Sequence, residues 1–168
     1  MVLYIILKSI IFYRKNQVNP VSFKNGSKKE KILWYGFVGI LVLHLLNLIL
    51  FYFGVLNSLF HSKILDTIGW IIILLGILIL ILAHLNMGKS WRMGNDQKIK
   101  TELVSTGLFK YSRNPVYLGL ILLSFSILLL VPNFLSLISF LLIVIDLNFI
   151  VKNEESFLEK QFGKRYID

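Results

Sequence analysis

Long apolar runs separated by short polar links constrain this chain more than any other feature. Residues 32–56 are almost continuously apolar, and further runs occupy residues 68–85, 116–131 and 134–151. A helix needs about 20 apolar residues to cross a bilayer. Because 56% of the 168 residues are hydrophobic, one small core cannot bury them all. The sequence therefore predicts a single all-α domain, residues 1–168, folded as a multi-pass transmembrane helical bundle.

The first apolar run, residues 1–13, predicts a short retained helix, which brings the expected number of helices to about five. It is interrupted by Lys8 and has neither a preceding basic region nor a small-residue cleavage site, so it does not resemble a signal peptide. The last two runs are separated only by Pro132 and Asn133. So tight a break predicts an antiparallel helical hairpin.

The basic residues indicate how the helices are oriented. The net charge is +9, but most of the lysines and arginines fall in alternate links, residues 14–31 and 87–114, rather than in one stripe. That pattern favours positive-inside topology and contact with anionic membrane lipids over nucleic-acid binding. We therefore expect the cell membrane as the location, with the N-terminus outside and both basic links and the C-terminus on the cytoplasmic face. No pattern indicates an oligomeric state.

Two polar segments should meet on that cytoplasmic face. Residues 107–119, GLFKYSRNPVYLG, form a basic, aromatic segment broken by Pro115. The tail at residues 153–166, NEESFLEKQFGKRY, emerges from the hairpin that begins beside that segment. Because the hairpin reverses the chain, both segments are expected to form one polar site against the membrane.

Three motifs give this half of the chain a family resemblance. MGKSWRMG at residues 87–94, LVSTGLFKYSRNPVYLG at 103–119 and EESFLEKQFGKRY at 154–166 occur in this order around a hairpin. Together they resemble the isoprenylcysteine carboxyl methyltransferase and phospholipid methyltransferase group of integral-membrane enzymes. The resemblance implies a catalytic region at about residues 87–168, S-adenosylmethionine as the methyl donor, and a lipophilic small-molecule or lipidated substrate.

The resemblance also assigns candidate roles to individual residues. We expect Arg113, Asn114 and Tyr117 to be catalytic. The expected cofactor-binding residues are Tyr111, Asn114, Pro115, Tyr117, Glu154 and Glu155. An arginine fork donates two parallel hydrogen bonds to a carboxylate or phosphate, and carboxylates accept from an ammonium or from ribose hydroxyls. Tyr111 and Tyr117 could flank the adenine.

The chain departs from the family pattern at its centre. Asn114 stands where the family usually has histidine, and an amide cannot titrate near neutral pH. Asn114 therefore cannot fill a role that needs a protonatable imidazole. The tail also lacks a second tyrosine that many relatives carry, and no Gly-x-Gly occurs in an earlier helix.

Several alternatives stay open from sequence alone. Arg113 could contact lipid phosphate, the two glutamates could be solvated charges, and the tyrosines fit an interfacial aromatic belt. The chain could also be an NADPH-dependent reductase of the sterol reductase type, or a non-catalytic lipid-binding protein. The acceptor could be a prenylcysteine carboxylate, a phospholipid amine or another lipophile.

Three polar side chains lie inside apolar runs. Asp146 could line the site or pair with a basic group, since an acid within a membrane is expensive to bury. His44 and Asn47 are three residues apart and predict an interhelical hydrogen bond. The chain has three histidines and no cysteine, so we expect no metal site and no disulfide.

Overall fold

A computed structural model of the protein describes residues 27–88 and 104–163, and these residues form an all-helical bundle without strands. Within them, α1 is Lys28–Tyr52, α2 is Lys63–Met87, α3 is Pro115–Leu130 and α4 is Phe134–Phe162. A short 3-10 helix, Gly107–Lys110, precedes α3. The predicted helix at residues 1–13 lies outside the described residues.

Three of these helices, α1, α2 and α4, are long and apolar enough to cross a membrane, and α3 is a shorter apolar helix. The multi-pass helical fold predicted from the sequence is thereby confirmed. The described residues contain four α-helices, against the five expected over the whole chain.

Local chemistry explains where α1 and α4 differ from their apolar runs. Helix α1 begins at Lys28 rather than Ile32, because Ser27 and Glu30 form a capping box in which each side chain bonds the other's backbone N–H. Helix α4 begins at Phe134, after the N-cap residue Asn133, whose side chain accepts from Ser136 N, and it continues past the apolar run to Phe162. The predicted tail is therefore largely a helical extension of α4.

Three helix pairs pack antiparallel: α2 with α3, α3 with α4, and α1 with α4. Helix α2 packs most extensively against α3, and α4 packs against both α1 and α3. The predicted hairpin is confirmed, since the rings of Phe125 and Phe140 pack in a tilted arrangement across α3 and α4 with their centroids 5.4 Å apart. Leu59 N donates to Pro132 O at 2.8 Å, so the α1–α2 link and the hairpin turn lie at the same end of the bundle.

A buried polar network joins α1 to the hairpin. His44 Nε2 lies 2.7 Å from Ser124 Oγ, and Asn47 Nδ2 donates to Ser136 Oγ at 2.8 Å. Asn133 Nδ2 donates in turn to Asn47 Oδ1 at 2.9 Å. The interhelical hydrogen bonding predicted for His44 and Asn47 is confirmed. In a bilayer such bonds hold helices together because hydrocarbon offers these groups no alternative partner.

Close backbone approach holds α2 against α3. A Cβ built on Gly119 would lie 2.7 Å from Leu80 Cγ and 3.2 Å from the carbonyl oxygen of Gly76. A Cβ on Gly76 would likewise lie 3.2 Å from the carbonyl oxygen of Gly119. Small residues at a helix crossing allow this approach, which gains van der Waals contact where the hydrophobic effect between helices is absent.

This packing predicts that Gly119→Ala destabilises the bundle by about 1–3 kcal/mol, because the added methyl group overpacks a site bounded by backbone. Gly39→Ala is the matched control, since a Cβ there meets nothing within 4 Å. The free energy of unfolding in detergent, measured by denaturant titration, should be unchanged or raised in the control. Equal effects of the two substitutions would contradict the close α2–α3 approach.

Candidate functional site

The segment predicted to carry the chemistry, residues 107–119, begins against the end of α2. Gly107 has a φ of +62°, and a Cβ at this position would collide with the side chain of Asn86. Only glycine adopts this conformation without strain and leaves this space. The following 3-10 turn ends at Lys110, and Ser112 N donates to Leu108 O at 3.0 Å. Asn86 and Gly107 thus fix where the segment enters.

Proline sets the boundary between this segment and α3. Pro115 is the first residue of α3 and is buried, while Asn114 is the N-cap residue with φ −134° and ψ 61°. A residue before proline is driven away from helical geometry, and proline suits the first helical position because it lacks an N–H. The Asn114 side chain does not cap the helix, and its backbone N donates to Ser112 Oγ at 3.3 Å. Arg113 is exposed immediately before this entrance.

The central contact of the site joins α3 to the α4 extension. Tyr117 Oη donates to Glu154 Oε1 at 2.6 Å. Hydrogen bonds to an ionised carboxylate are short and about twice as strong as neutral ones. The Tyr117 ring also packs against the apolar core of Phe37, Ile40, Ile143 and Leu147. Tyr117 therefore holds the part of α4 that follows its apolar run, residues 152–162, against the apolar core.

The other predicted residues surround this pair to different degrees. Glu155 is half-buried beside Glu154, whereas Tyr111 is 84% exposed. The structure thus brings Tyr117 and Glu154 into direct contact, with Pro115 two residues earlier on α3 and Asn114 at its N-cap, and leaves Tyr111 at the exposed start of the site.

Sequence reasoning missed a residue from α1. Glu30 Oε1 accepts a hydrogen bond from Asn153 Nδ2 at 3.2 Å, which brings the start of α1 next to Glu154. Glu30 is the single acidic residue of the basic link at residues 14–31, so the charge pattern alone indicated no role for it. The available signal was the Ser27-x-x-Glu30 spacing, which is typical of a helix start and would have placed Glu30 in an ordered first turn.

Asp146 does not join the Tyr117–Glu154 pair. Its Oδ1 lies 3.1 Å from the Cβ position of Gly36 on α1, and its buried Oδ2 has no hydrogen-bond partner. Pairing with a basic group therefore does not occur within the described residues. Across the same residues, no group of three or more His, Asp or Glu side chains could hold a metal ion.

The fold and the site together define a class: a multi-pass helical membrane protein with a polar site at one end of a helical hairpin. Residues 65–165 match the family model described as phospholipid methyltransferase. Since this match covers more than half of the chain, the protein belongs to the phospholipid methyltransferase family. The resemblance drawn from the motifs is thereby confirmed.

The family match begins within α2, earlier than the motifs, and does not include α1. Comparison with curated proteins found no match, and comparison with solved structures found none either.

The Tyr117–Glu154 hydrogen bond predicts that Tyr117→Phe lowers the free energy of unfolding by about 1–3 kcal/mol, because it removes a donor from a half-buried carboxylate. Tyr111→Phe is the matched control, since that hydroxyl belongs to a side chain that is 84% exposed. Denaturant titration in detergent should show a change within about 0.5 kcal/mol for the control. A Tyr117→Phe protein as stable as the control would show that this bond contributes nothing to the fold.

Proposed function

We propose that the protein is an S-adenosylmethionine-dependent methyltransferase that acts on a lipidic or amphipathic acceptor at the membrane surface. Family membership implies the coarser statement, a membrane methyltransferase that acts on lipids. The observation that carries the finer proposal is the 2.6 Å Tyr117–Glu154 contact, which joins two segments distant in the sequence into one polar site.

The residues at this site fit the chemistry of the proposed cofactor. Glu154 and Glu155 supply carboxylates suited to an ammonium group or to ribose hydroxyls. The Tyr117 hydroxyl orients one of them by bonding Glu154 Oε1, and its ring offers an aromatic surface. When bound, S-adenosylmethionine supplies an electrophilic methyl group on a positively charged sulfur. Two neighbouring acidic side chains also favour a cation over an anion in this place.

The other end of the site suits an anionic part of the acceptor. Arg113 is exposed and stands two residues before the apolar helix α3, which supports a location of its guanidinium at the level of lipid phosphates and carboxylates. A planar guanidinium binds such groups through two parallel hydrogen bonds. The apolar part of the acceptor can then stay in the bilayer beside the exposed Leu118. The proposed role of Arg113 is to hold the acceptor in register with the Tyr117–Glu154 pair.

The proposed catalysis is mainly positioning. A carboxylate acceptor is already a nucleophile at neutral pH, so alignment and exclusion of water reduce the barrier without a general base. Asn114 fits this reading because it donates and accepts hydrogen bonds but does not titrate. An amine acceptor would have to reach the site unprotonated or lose its proton to a neighbouring group.

Separate titrations with S-adenosylmethionine and NADPH test the proposal directly. Purified protein in detergent or nanodiscs should bind S-adenosylmethionine, measured by calorimetry, and should transfer radiolabelled methyl groups to extracted lipids. Binding of NADPH alone would support the reductase alternative. Binding of neither cofactor would support a non-catalytic lipid-binding protein.

Removing the two acidic charges should weaken cofactor binding. Changing both Glu154 and Glu155 to Gln keeps their size, and we expect an affinity loss of about 1–3 kcal/mol, the usual cost of losing a hydrogen bond to a charged group. Glu159→Gln is the matched control, because Glu159 lies on the same helical extension and is exposed. If calorimetry shows the same affinity in parent, double variant and control, the cofactor lies elsewhere.

Arg113→Lys should lower turnover by about tenfold although it keeps the charge, because one ammonium cannot reproduce the two parallel hydrogen bonds of the guanidinium. The affinity for S-adenosylmethionine should change less than turnover. Lys110→Arg is the control, since it alters an exposed basic residue of the same segment and should leave turnover unchanged. Intact turnover in both Arg113→Lys and Arg113→Ala would indicate that Arg113 only contacts lipid phosphate.

Asn114→His should preserve or raise activity, and turnover should gain a pH dependence between about 5 and 8, because an imidazole titrates in this range.

A further inference from the structure

The helical extension of α4 beyond its apolar run requires lateral support. The apolar run of α4 ends at Val151, and the helix continues to Phe162. Because the extension continues α4, its helical form is already nucleated, but its exposed end can fray or bend unless tertiary contacts hold it. The extension carries both acidic residues proposed to bind the cofactor. The contacts of the first turn of this extension therefore determine the orientation of the Glu154 and Glu155 carboxylates.

Two adjacent residues hold that first turn from two sides. Glu154 accepts from Tyr117 of α3 at 2.6 Å, and Asn153 donates to Glu30 of α1 at 3.2 Å. Neighbouring side chains diverge by about 100° around a helix, because one turn contains 3.6 residues. The two hydrogen bonds therefore act on different faces of the extension and fix its rotation about the helix axis.

The Glu30 carboxylate is itself held in place by the start of α1. Its Oε2 accepts from Ser27 N at 2.9 Å, while its Oε1 accepts from Asn153, so each carboxylate oxygen has its own donor. Ser27 Oγ accepts from Glu30 N at 3.2 Å and completes the capping box. A carboxylate in the first turn of a helix is also stabilised by the helix dipole. Glu30 therefore presents a preorganised acceptor to Asn153.

Packing beneath these bonds couples the same elements. Trp34, one turn after Glu30, packs with Tyr117 and Ile150 against the core formed by α1 and α4. Helix α1 thus bonds Asn153, the neighbour of Glu154, and contributes to the core on which Tyr117 packs, although it lies before the residues 65–165 that match the family.

We propose that Glu30 is a positioning residue of the cofactor site: through Asn153 it fixes the rotation of the α4 extension and so keeps Glu154 against Tyr117. The inference rests on the proposed function in one respect, that Glu154 binds S-adenosylmethionine. Glu30 itself acts through Asn153. In this protein the site is completed by a helix that precedes the family-matched region.

A double-mutant cycle on cofactor affinity tests the proposal in the full chain. Glu30→Ala and Asn153→Ala should each raise the dissociation constant for S-adenosylmethionine by about threefold to thirtyfold, the range expected for losing one hydrogen bond. The double variant should be no worse than either single variant, because both substitutions break the same bond. Glu30→Gln should retain most of the affinity, since its amide oxygen still accepts from Asn153.

Ser27→Ala separates positioning from helix capping. It removes the hydroxyl half of the capping box but leaves the Glu30–Asn153 bond. We expect it to lower the unfolding temperature while the dissociation constant stays at the parent value. A loss of affinity equal to that of Glu30→Ala, or additive effects of Glu30→Ala and Asn153→Ala, would reduce Glu30 to a structural cap and overturn the inference.

A distance measurement keeps this test independent of the cofactor. The chain has no native cysteine, so spin labels can be placed on cysteines at Lys110 and Ser156, which are both exposed. The distance distribution between them should broaden in Glu30→Ala and Asn153→Ala and stay narrow in Ser27→Ala. An unchanged distribution in all three would overturn the inference. Broadening in these two variants, when the parent itself fails to bind S-adenosylmethionine, would support the positioning and overturn the proposed function alone.

Discussion

The absence of hydrogen-bonding solvent in the hydrocarbon layer is the constraint on which this structure depends. It requires each spanning segment to satisfy its own backbone, which leaves helices as the available form for a chain with these apolar runs. It also makes each buried polar side chain a determinant of helix packing. His44 and Asn47 meet this requirement by bonding Ser124 and Ser136 of the hairpin. These bonds, together with Asn133, fix α1 to the hairpin at the end of the bundle away from the site.

The helix pairs then use two different kinds of contact. Helices α2 and α3 approach through Gly76 and Gly119, where backbone lies against backbone and a single methyl group would intrude. Helices α1 and α4 meet through larger apolar side chains, among them Phe37 and Leu147. The close α2–α3 contact sets the position of the entrance segment, because Gly107 rests against Asn86 near the end of α2. The α1–α4 contact sets the position of the helical extension that carries Glu154.

The proposed site therefore lies where these two helix pairs meet. Tyr117 contributes from α3 and Glu154 from α4, and the 2.6 Å bond between them spans the junction. This arrangement suits a methyl transfer enzyme whose acceptor is a lipid, because polar groups gather at the end of helices whose flanks remain in contact with acyl chains. It also underlies the proposal that Glu30 of α1 positions residues at the other end of the chain.

The sequence by itself determined the helical class through its long apolar runs, and the hairpin through the Pro132–Asn133 break. The hairpin and the basic links also indicated which segments would meet. These features could be predicted because hydrophobic length and proline geometry act locally. The motif order similarly indicated the family. The sequence did not determine that α4 continues as a helix to Phe162, that Gly76 faces Gly119, or that Tyr117 rather than Tyr111 bonds Glu154. It also left Glu30 among the charges of a loop. These features depend on which faces of distant helices come together, and in an Ile- and Leu-rich chain many faces are equally apolar. Only tertiary packing, through close glycine contacts and a few paired polar groups, selects one rotation of each helix and thereby builds the site.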